Sequence, residues 1–79
     1  MILVRAVNKN GVCMSHCRAE NMNEARTYIV RNSAPAFVDG FTVDTIGIVK
    51  IVRDLDGHAI GFSRYLDGQF IKGGPELIA

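Results

Sequence analysis

The sequence has no tryptophan, only two prolines and two cysteines, and its aromatic side chains amount to four Phe and two Tyr. Two cysteines are too few for a disulfide-built scaffold. No apolar run approaches the roughly 18 residues of a membrane-spanning helix. Met1-Ile2-Leu3-Val4-Arg5 lacks the basic region and long apolar stretch of a signal peptide. The expectation is a cytoplasmic protein with no membrane segment. Neither sign of charge dominates: nine Lys and Arg against eight Asp and Glu give a net charge of +1. A nucleic-acid protein is usually far more basic, although this balance leaves room for a local basic patch.

Catalytic signatures are missing as well. The sequence contains no P-loop, no G-x-G-x-x-G after a strand, no H-E-x-x-H and no nucleophile elbow. Ser15 and His16 are adjacent on an expected strand, so their side chains point to opposite faces and cannot act as nucleophile and base. Asp54 and Asp56 flank a tight turn, and Asp56 reads as a turn residue rather than half of a carboxylate pair. His58 begins a strand beside that turn and reads as a solvated histidine. Cys13 and Cys17 sit on one face of a strand but about 13 Å apart at ~3.3 Å per residue. That is too far for a disulfide, and His16 faces the other way, so they read as buried or half-buried thiols. No metal, no cofactor and no enzymatic activity are expected.

What is present is a globular composition, 48% hydrophobic and 22% charged, in a chain of 79 residues. That is room for one domain, 1–79, with little core to spare for a deep pocket. Ile2 to Asn8 and Val12 to Ala19 read as a hairpin about Asn10-Gly11. This register pairs Ile2 with Ala19, Val4 with Cys17 and Ala6 with Ser15. Ile2, Val4, Ala6, Cys13, Ser15, Cys17 and Ala19 then form the core face. Leu3, Arg5, Val7, Met14, His16 and Arg18 form the outer one.

Asn21, with Glu24 three residues on, predicts a capped helix carrying Met22, Ala25 and Ile29 inward, with Tyr28 or Val30 widening the stripe. Arg26 and Thr27 face water. Asn32-Ser33-Ala34-Pro35 ends the helix, and a loop runs to Gly40. Thr42 to Leu55 reads as one long strand. Asp56-Gly57 and Asp67-Gly68 are tight turns that join it to His58–Leu66 and Gln69–Lys72 in a meander. Gly73-Gly74-Pro75 breaks the pattern, so 73–79 is expected to be loosely held.

The predicted fold is α+β: a single helix packed on a five-stranded antiparallel sheet, in the order β-β-α-β-β-β. Val49, Ile51, Ile60, Phe62 and Ile71, with Arg53 and Arg64 at the margin, should face the helix. One helix shields one side of a sheet. The open side would show Arg5, His16, Arg18, Lys50 and Lys72 among Met14, Tyr65 and Phe70. Cations interleaved with aromatic rings suit a protein partner, nucleic acid or a homodimer. They also suit an ordinary solvated face.

The hairpin-helix-meander layout over Ile2–Ala19, Asn21–Asn32 and Thr42–Lys72, without catalytic residues, resembles small phage-encoded anti-CRISPR proteins of the type I-F inhibitor kind. The resemblance implies an inhibitor docked on a host protein or nucleoprotein complex. Arg5, Arg18, Lys50 and Lys72 would occupy a surface meant for DNA. An accessory subunit of an oligomeric assembly is the further alternative.

Overall fold

The computed structural model describes residues 1–78 and shows an α+β domain. In chain order the elements are β1 (Ile2–Val7), β2 (Cys13–Ala19), α1 (Met22–Arg31), β3 (Gly40–Val43), β4 (Gly47–Arg53), β5 (Ala59–Leu66) and β6 (Gln69–Gly73). A 3-10 turn, Pro75–Ile78, follows β6. The strands form one antiparallel six-stranded sheet in the order β2-β1-β3-β4-β5-β6.

The first hairpin takes the predicted register: Ile2 faces Ala19, Val4 faces Cys17 and Ala6 faces Ser15. A bulge between Ala6 and Val7 then sets Val7 opposite Cys13. The Asn8 side-chain oxygen accepts from the amides of Asn10 and Val12, which shapes the loop around Gly11. The β5–β6 turn is built on Asp67 and Gly68, both at positive φ (49° and 87°). That pair of left-handed residues matches the right-handed twist of the flanking strands.

The segment expected as one strand, Thr42 to Leu55, is two. The chain reverses at Asp44-Thr45-Ile46, closed by the Ile46 amide donating to the Val43 carbonyl at 3.2 Å. Gly47 supplies the positive φ of 87° that the reversal needs. The sheet therefore has six strands and not five, in the order β-β-α-β-β-β-β. The extra strand, β3, sits at its centre, paired with β1 on one side and β4 on the other. Gly40 opens β3 because a side chain there would collide with β4: an added Cβ would lie 2.6 Å from the Val49 carbonyl oxygen.

The helix starts as predicted. The Asn21 side chain accepts from the Glu24 amide at 3.0 Å, and the Glu24 carboxylate accepts from the Glu20 amide at 2.7 Å. Ala25 and Ile29 are fully buried, and Met22 and Tyr28 pack against the core beside them. Val30 instead faces solvent. Arg26 does not simply face water, since it is half-buried with its Nε out of solvent contact. The core gathers Val4, Ala6, Ala19, Phe41, Val43, Val49 and Phe62 from the sheet under the helix. Phe41 meets the Tyr28 ring edge-on at 6.3 Å.

Three further expectations are corrected by packing. First, α1 lies over β1 and β2 and does not blanket the sheet. Ile60, assigned to the helix side of the meander, is therefore 65% exposed and Ile71 37%, and a bulge between Val52 and Arg53 shifts the register at Ile60. Second, β2 is an edge strand, so Cys13 and Ser15 are exposed and Cys17 only half-buried. The Ser15 hydroxyl is hydrogen-bonded to that of Tyr28 at 2.5 Å. Third, residues 73–78 are packed and not loose, while Ala79 lies outside the described residues. The 3-10 turn lies on β5 and β6, and Ile78 is fully buried in the core. Burying an isoleucine is worth on the order of 2 kcal/mol, enough to hold a short tail down.

Arg53 and Arg64 do share the helix-side face, at its margin, and each ties a covering segment to the sheet. Arg53 donates to carbonyls of the 33–38 loop, and Arg64 donates to the Leu77 carbonyl at 3.0 Å.

Candidate functional site

Strand pairing sets which outward side chains become neighbours. On the face opposite α1, Arg5 is paired with His16 on β2 and with Thr42 on β3. Thr42 is paired with Ile48 on β4. The β4–β5 register, with Val49 opposite Arg64, sets Ile48 level with Tyr65, and Tyr65 is paired with Phe70 on β6. A single line, His16–Arg5–Thr42–Ile48–Tyr65–Phe70, thus crosses all six strands. At about 4.8 Å per strand it spans roughly 24 Å. A second line runs beside it: Val7, Gly40, Lys50, Ser63 and Lys72.

The predicted contact residues lie on this one face. Arg5, His16, Arg18, Lys50, Tyr65, Phe70 and Lys72 are all exposed, and Met14 lies with them near the β2 edge. Tyr65 and Phe70 are each 50% exposed and meet edge-to-face, with ring centroids 5.1 Å apart. The remaining half of each ring's surface faces solvent on an open sheet.

The charge distribution is sharper than a net charge of +1 suggests. No strand position carries an Asp or Glu. The eight carboxylates occupy turns, loops, the first turn of α1 and the terminal 3-10 turn. Among the described residues, the one charge pair within 4.0 Å is His58 with Asp54, at 3.3 Å. Arg5, Arg18, Lys50 and Lys72 therefore have no carboxylate partner. Four such cations on one sheet face produce a local positive potential that the whole-chain charge conceals.

Sequence reasoning missed two parts of the site. Ile48 is 49% exposed and joins the basic end of the long line to its aromatic end. A depression of about 230 Å³ lies over Gly40, bordered by Val7, Thr42, Ile48, Lys50 and Lys9, with Asp39 at its rim. It exists because β3 threads between β1 and β4 with no side chain at Gly40. Reading residues 42–55 as one strand removes that placement.

Asp54, Asp56 and His58 bring three potential ligand atoms within 4.8 Å of one another, all exposed. Asp54 Oδ1 already accepts from the amides of Asp56 and His58, at 3.0 and 2.9 Å. The turn's own hydrogen bonds account for the cluster. On the helix side, a groove of about 480 Å³ is lined by Val30, Ala34, Ile60, Phe62 and Pro75, with His58 at its edge. Among the described residues, no helix is long and apolar enough to cross a membrane.

The chain matches no protein-family model, no curated protein and no solved structure.

Proposed function

We propose that this chain is a non-enzymatic binding protein that covers a partner's surface with its open sheet face. In this reading it acts as a phage-encoded inhibitor docked on a host defence complex, a protein or nucleoprotein assembly of the kind that type I-F anti-CRISPR proteins engage. One observation carries the reading: four unpaired cations and two half-exposed rings share a face whose strands bear no carboxylate. Arginine and aromatic side chains are enriched among interface anchors, and the sheet fixes the backbone positions from which they are presented. We place the activity in the cytoplasm, where the unbridged thiols of Cys13 and Cys17 would stay reduced.

Pairing this face with a second copy of itself would set Arg5, Arg18, Lys50 and Lys72 against like charges, which costs free energy. The face is better matched to an anionic partner than to a homodimer.

The test is capture of a purified type I-F surveillance complex by the tagged chain. The variant Arg5→Glu/Arg18→Glu/Lys72→Glu should lose capture while its circular dichroism stays that of the parent. Undiminished capture by the folded variant overturns the assignment of the face.

A further inference from the structure

We infer that the anion this face receives is a single-stranded nucleic acid, with phosphates on Arg5, Lys50 and Lys72 and bases against Tyr65 and Phe70. The inference rests on the open face being the contact surface, and it names the occupant. The occupant is negative, because the face offers Arg5, Arg18, Lys50 and Lys72, none of which has a carboxylate within 4.0 Å among the described residues. It also has flat apolar parts. Along β6, Phe70 and Lys72 are two positions apart on the same face, and along β4 so are Ile48 and Lys50. Phe70 and Ile48 thus each have a cation about 6.6 Å along their own strand, and Tyr65 joins Phe70 across the β5–β6 pairing. An unpaired strand presents the matching alternation, a stacking surface and then a phosphate. A duplex hides its base faces and would leave both rings without a partner. An acidic protein surface would use the cations too, but it does not repeat a flat ring and an anion at regular intervals as a single strand does, and it stands as the competing outcome.

The experiment is fluorescence anisotropy of labelled oligothymidylate and oligouridylate of about twenty nucleotides, and of a duplex, with the full chain at about 50 mM salt and above. Single strands should bind, and the duplex should bind at least about tenfold more weakly. The plot of log affinity against log salt should have a slope of about −2, as three phosphate contacts at roughly −0.7 each require. Lys50→Gln and Lys72→Gln should each flatten that slope by about 0.7. Tyr65→Ala and Phe70→Ala should each weaken binding roughly tenfold. Should either alanine variant fail to fold, Tyr65→Leu and Phe70→Leu keep the apolar bulk and lose the stacking.

No binding at low salt, equal affinity for duplex and single strand, or folded ring variants that bind like the parent would each overturn the inference. If oligonucleotide binding fails while capture of the purified complex still depends on Arg5, Arg18 and Lys72, the binding face stands and its occupant is an acidic protein surface. If capture is also indifferent to those charges, both readings fall.

Discussion

Arg53 Nη2 lies 2.8 Å from the carbonyl oxygen of Ser33, a residue twenty positions earlier in the chain. The same nitrogen reaches the carbonyls of Pro35 and Val38 at 2.8 and 2.9 Å, and Nη1 reaches that of Gly57 at 3.0 Å. A guanidinium supplies five donors in a fixed fork, so one side chain can satisfy a loop whose carbonyls have no strand to pair with. The loop from α1 to β3 is thereby fastened to the β4–β5 hairpin. This holds β3 at the centre of the sheet and so shapes the depression over Gly40.

Replacing Arg53 should accordingly cost far more than a surface substitution. Arg53→Ala should lower unfolding free energy by about 2–4 kcal/mol, because several carbonyls lose a charged donor together. Arg53→Lys should recover little of the loss, since one ammonium cannot reproduce the fork. Urea denaturation of the three proteins measures this. A lysine variant as stable as the parent would show that charge alone suffices.

The end of the chain should behave as core. Ile78 is fully buried in the same core cluster as Ile29 and Phe41, so Ile78→Ala should cost about 2–4 kcal/mol. Removal of residues 74–79 should cost at least as much and expose the helix-side surface of β5 and β6 to a hydrophobic dye. A midpoint unchanged by Ile78→Ala would mean the 3-10 turn adds nothing to the core.

Gly40 is constrained by its neighbours. A Cβ at this position would lie 2.6 Å from the Val49 carbonyl oxygen and 3.2 Å from the Lys50 Cα, both backbone atoms that cannot rotate away. Gly40→Ala should separate β3 from β4 and cost roughly 2 kcal/mol or more. Amide hydrogen exchange should show the loss concentrated at the β3–β4 pairing. Uniform protection in the variant would place the closest contact elsewhere.

Glu76 gives the terminal turn an acid limit. Its carboxylate accepts from the Gly74 amide at 2.9 Å. That bond, followed by one to its own amide, holds its pKa below the ordinary glutamate value. A depressed carboxyl pKa contributes stability that is complete above the unfolded value, about 4.3, and disappears as pH falls through the folded one. A proton–carbon NMR titration should therefore find Glu76 with the low midpoint. Glu76→Gln should lower Tm near neutrality, and its difference from the parent should vanish as pH falls through the folded midpoint, so the variant lacks this share of the acid-side fall in Tm. A midpoint at or above the ordinary value would contradict the hydrogen bond's role.

Local chemistry in the chain decided a good deal. Asn21 and Glu24 capped the helix they were expected to cap, Asp67-Gly68 closed its hairpin, and the alternation along β1 chose which side of that strand is buried. These depend on contacts between residues a few positions apart, where propensity and turn geometry dominate. The cations and rings of the open face were legible for the same reason, since period-two alternation assigns faces before any strand order is known.

Only the tertiary structure decided that residues 40–55 fold into two strands, that β3 lies between β1 and β4, and that Ile78 closes the core. Asp44 and Gly47, a turn residue and the left-handed glycine of a three-residue loop, are the reversal's short-range signature, but they stand within a β-branched run that reads as continuous strand. The reversal's gain comes from pairing with β1, more than thirty residues away. The level line from His16 to Phe70 follows from that insertion, because side chains on different strands become neighbours only through strand order and register. Long-range pairing is a property of the folded sheet as a whole, and no window of sequence contains it.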